Sequence, residues 1–205
     1  MLKNLRLNVN IQKFIPQFQL NALVGDHGYP HNAVKSSVLV PLCDIDGKLH
    51  VLLCKRPSYL KHHPGQICFP GGKFEQQDTS LKATAFRETK EELGIPEHEI
   101  NLIGQMNSYW TLTGFEIKPY VGQIDSNFSL KPQLTEVSDT FFLPFHKLTQ
   151  SANWVDLNFT RNQQPVVLKG YMTEHGLLWG ATAQIILNLI EQVSSTNTDF
   201  YSSVV

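Results

Sequence analysis

The run Arg87-Glu88-Thr89-Lys90-Glu91-Glu92-Leu93-Gly94, placed a fixed distance after Pro70-Gly71-Gly72-Lys73, constrains this chain more than any other stretch. A glycine-rich turn leads into a short helix predicted over residues 80–93. At 100° per residue, Glu88, Glu91 and Glu92 fall within roughly 100° of arc and point the same way. Ala85, Phe86 and Leu93 form the neighbouring apolar face, and Lys82 interrupts it as a snorkelling stem. Like charges at i,i+3 and i,i+4 cost about 0.2–0.5 kcal/mol per pair. Glu91 and Glu92 also sit in the last turn before Gly94, a natural stop. There the negative end of the helix dipole costs a carboxylate about 0.3–1 kcal/mol. An ordinary solvated face would place lysines here. A hard divalent cation compensates such crowding, because Mg²⁺ and its relatives take carboxylate oxygens as ligands.

The order Gly72, Asp78, then Arg87-Glu88-x-x-Glu91-Glu92-x-Gly94-Ile95 resembles the signature box of the Nudix hydrolases. That family cleaves nucleoside diphosphates linked to a further moiety. Two departures stand out: the first acid is Asp rather than the commoner Glu, and the spacing from Asp78 to Arg87 is one residue longer than usual.

The chain has 205 residues, 41% of them hydrophobic, and a net charge of −1. One domain of ordinary size with a sizeable core fits that length. The near-neutral balance gives no broad attraction to nucleic acid or membrane. Cys43, Cys54 and Cys68 have neither Cys-x-x-Cys spacing nor a zinc-ligand arrangement, and read as buried thiols in a reducing compartment. No run approaches the roughly 18 apolar residues of a spanning helix. The N-terminus lacks the apolar stretch of a secretory leader. A cytoplasmic protein is the expectation.

Residues 1–35 mix Leu2, Leu5, Leu7, Ile11, Phe14 and Ile15 with polar residues in a loosely helical rhythm, and 25–31 reads as a loop. This segment is expected to be a cap or arm on the main domain, and it is the candidate surface for a homodimer. Residues 36–193 form the main domain. Strand-like runs at 38–42 and 49–54 flank Asp44-Ile45-Asp46-Gly47, whose Asp-Gly signals a hairpin. Further strands are expected at 66–69, 101–104, 115–124, 137–143 and 166–171. The strongest apolar helix runs from Trp179 to Val193, with Trp179, Ile185, Ile186 and Leu189 in the core and Gly180 allowing close approach to the sheet. Residues 194–205 are polar and read as a frayed tail. Strands mixed with two main helices predict a sheet covered on both faces. The resemblance implies the same α/β class: an α/β/α sandwich with a mixed sheet.

Arg56-Pro57-Ser58-Tyr59-Leu60-Lys61-His62-His63-Pro64-Gly65-Gln66 joins a strand end to Phe69-Pro70-Gly71-Gly72. Its cationic side chains suit a phosphorylated substrate. Leu52, Leu53, Arg56, Leu60, His63, Gly65, Gln66 and Phe69 to Gly72 are similar, position by position, to the element marking the coenzyme A diphosphatase branch of that family. Cys54 stands where the branch usually has Thr, and the longer box is normal there. Thr113-Gly114-Phe115-x-Ile117-x-Pro119-Tyr120-Val121-Gly122 and Leu178-Trp179-Gly180-Ala181-Thr182-Ala183 also resemble that branch. The resemblance covers about residues 36–190.

It implies Glu88, Glu91 and Glu92 as ligands of Mg²⁺ or Mn²⁺, with one of them or Glu136 orienting or deprotonating a water. Glu116 is a weaker candidate. Arg87 is expected to point away from the metal face and hold Asp78 or a neighbouring carboxylate. Arg56, Lys61 and His63 are the candidate substrate contacts, with Gly71 and Gly72 turning the backbone beside the site. The products implied for coenzyme A are 3′,5′-adenosine bisphosphate and 4′-phosphopantetheine. Specificity for ADP-ribose, dinucleoside polyphosphates or nucleoside triphosphates stays open, as does a non-catalytic binding module, whose usual mark is loss of the box carboxylates.

Overall fold

A computed structural model describes residues 10–20, 32–161 and 163–194. The expected loop at 25–31, the leucines at 2, 5 and 7, and the tail beyond Ser194 lie outside the described residues. Along the chain come α1 (Ile11–Leu20), β1 (Val34–Ile45), β2 (Lys48–Lys55), β3 (Ile67–Cys68), β4 (Gly71–Lys73) and α2 (Leu81–Leu93). Next are β5 (Asn101–Gln105), β6 (Tyr109–Trp110), β7 (Phe115–Gln123), β8 (Asp139–Pro144) and α3 (Phe145–Leu148). The last elements are β9 (Trp154–Arg161), β10 (Gln164–Thr173), β11 (Gly176–Leu178) and α4 (Gly180–Ser194).

Alternation along two strands sets the layers. In β1, Val40 and Leu42 enter one apolar core while Leu39 and Cys43 enter another. In β2, Leu49, Val51 and Leu53 face the first core, and Leu52 and Cys54 the second. A period of two turns successive side chains to opposite faces, so a strand apolar throughout must be covered twice. Ile185, Ile186 and Leu189 of α4, with Phe14 and Phe18 of α1, cover the first face. Ala85, Phe86 and Leu93 of α2 cover the second. The result is the expected α/β/α sandwich.

Among the described residues the main sheet has eight strands, with β3-β2-β1-β7-β5 as its central path. β1 and β7 run parallel, from Val34 opposite Phe115 to Leu42 opposite Gln123, and the other pairings are antiparallel. The β1–β2 turn has positive φ at Asp46 and Gly47, between the paired Ile45 and Lys48. Those are the dihedral signs of a two-residue type I′ hairpin.

One split in this sheet positions the site. β1 pairs with β2 through Leu42–Ile45, but through Ser36–Val38 it pairs with β4. The chain leaves β2 after Cys68, passes Phe69 and Pro70, and joins β1 at Gly71. The glycine pair is thus a short strand rather than only a turn, and α2 packs beside it.

Two expectations about α4 are corrected. Trp179 is half-buried and stacks on Phe159 of β9, with ring centroids 5.8 Å apart, instead of filling the core. Nothing stands within 4 Å of a Cβ built on Gly180, so close approach is not its role. A second sheet, β11-β10-β9, adds Trp154, Tyr171 and Leu178 to the first core; sequence reading located only part of β10. Among the described residues no helix is long and apolar enough to cross a membrane.

Candidate active site

Helix α2 is closed at both ends by its own sequence. Ser80 is the N-cap, its Oγ accepting from the Ala83 N–H at 3.1 Å. Gly94 takes the left-handed conformation (φ 73°), and its N–H donates to the Lys90 carbonyl at 2.9 Å. These caps satisfy backbone groups that a helix end otherwise strands. Lys82 reaches across to the Phe86 ring, 5.4 Å from its centroid.

Arg87 is the hub of the helix's polar side. Its Nε and Nη2 donate to Asp78 Oδ1 and Oδ2 at 2.9 and 3.0 Å. Its Nη1 donates to Glu88 Oε1 at 2.9 Å and Glu91 Oε2 at 3.0 Å. Asp78 also accepts from the Glu75 N–H and from the buried Thr84 hydroxyl. The Arg87 fork above all, with those two bonds, holds the Asp78 carboxyl far below the usual carboxylate range. The expected hold on Asp78 is present. The expected direction is not: Arg87 faces the carboxylates, because a planar guanidinium with five donors can serve several acceptors at once.

The three glutamates differ sharply in surroundings. The Glu91 side chain is 55% exposed, that of Glu88 is 14% exposed, and Glu92 is buried. Glu92 Oε2 accepts from the Gly71 N–H at 3.1 Å. Burial pushes the Glu92 carboxyl up to about 8, with Glu88 and Glu136 adding repulsion and the Gly71 N–H opposing. Burial also raises Glu88, against the pull of Arg87. Glu136, exposed on the turn before β8, contributes repulsion at both sites. Among the described residues no hydrogen bond or ion pair joins the Glu136 side chain to Glu88 or Glu92; its turn is tied to α2 by the Gln133 N–H, which donates to the Glu92 carbonyl at 2.9 Å. Glu116 instead accepts from the Ser108 hydroxyl at 3.0 Å.

The glycine pair fits against this cluster. Gly71 has φ 156°, and a Cβ there would stand 2.4 Å from the Ser37 carbonyl oxygen. A Cβ on Gly72 would stand 2.2 Å from Glu88 Oε1. Glycine at 71 lets the β4 backbone lie this close to β1, and glycine at 72 leaves the Glu88 carboxylate room where it stands.

Arg56, at the end of β2, lowers the proton affinity of Glu92 and of the Cys68 thiol, so its charge lies near the cluster. Its Nε is buried with no hydrogen-bond partner. Lys61 and His63 stand exposed further along the same loop, and among the described residues no ion pair joins them to the carboxylates. Sequence reasoning missed Thr84, whose hydroxyl one turn before Glu88 looks like any helix threonine until Asp78 is placed beside it. The cysteines are free; burial pushes the Cys43 and Cys68 thiols up to about 12.

Carboxylate oxygens are the donors a hard divalent cation takes, and Glu88 and Glu92 both lie against the Gly71–Gly72 backbone. The residue types therefore fit Mg²⁺ or Mn²⁺. Yet among the described residues no three His, Cys, Asp or Glu side chains are gathered into a ready cage. Arg87 draws Glu88 and Glu91 to itself, and Glu92 turns inward to Gly71. The single shared face expected from helical spacing is divided by these partners.

Residues 34–163 match the NUDIX domain family. The chain is 33% identical over 187 residues to a protein of Yersinia enterocolitica described as an uncharacterized Nudix hydrolase NudL, covering 90% of this chain and 93% of that one. A Yersinia pestis protein of the same description is 33% identical over 193 residues, covering 90% and 95%. A crystal structure of a MutT/nudix family protein from Enterococcus faecalis shares the fold at TM-score 0.52 and 16% identity, covering 92% of this chain and 71% of that one. With the box, the sandwich and these relatives together, the chain belongs to the Nudix hydrolase family.

Proposed function

We propose that this protein hydrolyses the pyrophosphate bond of a nucleoside diphosphate joined to a second moiety, with Mg²⁺ or Mn²⁺ as cofactor. The observation carrying this reading is the placement of two box carboxylates against the glycine pair: Glu92 accepts from the Gly71 N–H, and Glu88 stands where a Cβ on Gly72 would be. Glu88, Glu91 and Glu92 would hold the cation. When bound, it neutralises phosphate oxygens and lowers the pKa of the attacking water. The chain's own groups do the rest. Arg87 holds Glu88 and Glu91 in place through Nη1. Glu136, or one of the helix carboxylates, takes the proton as the water oxygen bonds to phosphorus and the bridging P–O bond breaks. Half-buried Arg56, at the start of the loop, meets a substrate phosphate.

Coenzyme A is the narrower reading within this one. It rests on the Arg56–Gln66 element, which forms a closed loop with Arg56 N–H donating to the Gln66 carbonyl at 2.9 Å. The relatives named above carry only the family description, so they favour the broader statement and leave ADP-ribose and similar diphosphates in play.

The test is a panel of coenzyme A, dephospho-coenzyme A, ADP-ribose and dinucleoside polyphosphates, with Mg²⁺, Mn²⁺ and a chelator control, products identified by mass. Metal-dependent cleavage of at least one substrate is expected. Failure to consume any of them overturns the reading. For coenzyme A, Arg56→Ala should raise KM more than for dephospho-coenzyme A if Arg56 binds the 3′-phosphate. Equal effects reject that contact.

A further inference from the structure

The turn that carries Glu136 is fixed at its base and exposed at its tip. Lys131 and Gln133 donate their N–H groups to the carbonyls of Leu93 and Glu92, both at 2.9 Å, which docks the segment on the end of α2. The Glu136 and Val137 N–H groups both donate to the Gln133 carbonyl at 2.9 Å and close the turn. Val137 is buried, and the Ser138 N–H donates to the Lys55 carbonyl at 2.8 Å. Between these anchors, Leu134, Thr135 and Glu136 all face solvent.

The Arg56–Gln66 loop reaches this tip. The Tyr59 hydroxyl donates to the Leu134 carbonyl at 3.1 Å, 75 residues away in sequence. Tyr59 is not on a loose chain: Leu60 and Gly65 both donate to the Pro57 carbonyl, and Gln66 to that of His63, above the Arg56–Gln66 neck. Both partners are strongly exposed, Tyr59 at 69% and Leu134 at 72%. Folding gains little by leaving a tyrosine and a leucine in water, so burial does not explain their meeting. The pair joins the loop holding Arg56 to the turn holding Glu136, which is itself docked on the end of α2 that carries Glu91 and Glu92.

We infer that Tyr59 is a positioning residue for Glu136, its hydroxyl holding the tip of the 133–137 turn beside the end of α2 that carries Glu91 and Glu92. This rests on the proposed role of Glu136 in the hydrolysis. Interactions between charges fall off with separation, and a general base must stay within hydrogen-bond reach of its proton. A tip that swings away removes Glu136 from the site for part of the time. The rate falls while substrate binding, made by other groups, is kept.

The experiment compares wild type, Tyr59→Phe, Glu136→Gln and the double variant by steady-state kinetics and amide hydrogen exchange. Phe keeps the ring, so any stacking of a substrate base survives. Tyr59→Phe is expected to lower kcat about three- to tenfold, the range one neutral hydrogen bond supports, with KM nearly unchanged. The amides of Glu136 and Val137 should exchange faster, with those of α2 unaffected. In the Glu136→Gln background the Phe substitution should have no further effect, the signature of two residues acting as one unit. Unchanged exchange at Glu136 and Val137 overturns the inference. So does the same fold-loss in both backgrounds, or a loss confined to KM. If wild type consumes no pyrophosphate-linked nucleotide, the functional reading falls, whereas the exchange comparison still decides whether Tyr59 holds the turn.

Discussion

Arg87 and Asp78 are joined by a two-bond fork, Nε to Oδ1 at 2.9 Å and Nη2 to Oδ2 at 3.0 Å, with the Asp78 side chain only 3% exposed. The fork fixes the plane of the guanidinium. Nη1 is thereby aimed at Glu88 and Glu91, so an aspartate outside the helix sets where two of the box glutamates stand.

Asp78→Ala leaves the Arg87 charge short of its principal partner. Breaking one side of a buried pair costs roughly 3 kcal/mol or more, and the denaturation midpoint should fall accordingly. An unchanged midpoint in urea would show that the fork contributes nothing to stability.

Glu92→Gln should separate stability from turnover. The amide still accepts from the Gly71 N–H but carries no buried charge, so at pH 8 the variant should be as stable as wild type or more so. Turnover should drop about a hundredfold or more, as removal of a group acting in the transition state does. Melting temperature and kcat measured on one preparation test both parts; a stable variant with normal kcat removes Glu92 from the mechanism.

Stability without metal should fall as pH rises from 5 to 8. Glu92 is lifted from an ordinary 4.5 to about 8, so across that window the folded chain holds a proton the unfolded chain has lost. Its contribution is fully present below 4.5 and disappears as pH passes the folded value. Asp78 acts oppositely, but only in strong acid, since its carboxyl is depressed. A cation competing with the Glu92 proton should raise the melting temperature more at pH 8 than at pH 6. A thermal shift with Mn²⁺ that is flat or reversed across this range would count against metal binding here.

The two adjacent glycines should respond differently to alanine. Gly71→Ala sets a Cβ against the Ser37 and Val38 backbone and should destabilise the fold, by about 2 kcal/mol or more. Gly72→Ala meets the flexible Glu88 carboxylate, which can rotate away. Its loss should appear in kcat and metal affinity, with the melting temperature nearly kept. Similar losses of stability in both would argue that Gly72 is placed for packing alone.

Phe14 stacks on Phe18 and meets Phe145 edge-on, with centroids 5.8 and 5.6 Å away. It is completely buried. Phe14→Ala should cost about 3–5 kcal/mol, which would place α1 in the folding unit. A cost under about 1 kcal/mol, the level of surface substitutions, would make it a dispensable arm.

The helix over 80–93, its stop at Gly94, the Asp46-Gly47 hairpin and the two-sided strands β1 and β2 are legible in the sequence. Each depends on neighbours within a few residues: helical spacing, a cap, a turn, alternation. The carboxylates at 88, 91 and 92 belong to the same class of signal. The chain alone does not reveal that Gly71–Lys73 pairs with β1, that Arg87 faces the carboxylates, that Trp179 leaves the core for Phe159, or that Tyr59 meets Leu134. A hydrogen bond across 75 residues, or a guanidinium shared among three carboxylates, depends on which groups the fold brings within hydrogen-bond distance. Local periodicity fixes which way a side chain leaves the backbone; only the packed chain determines what it finds there.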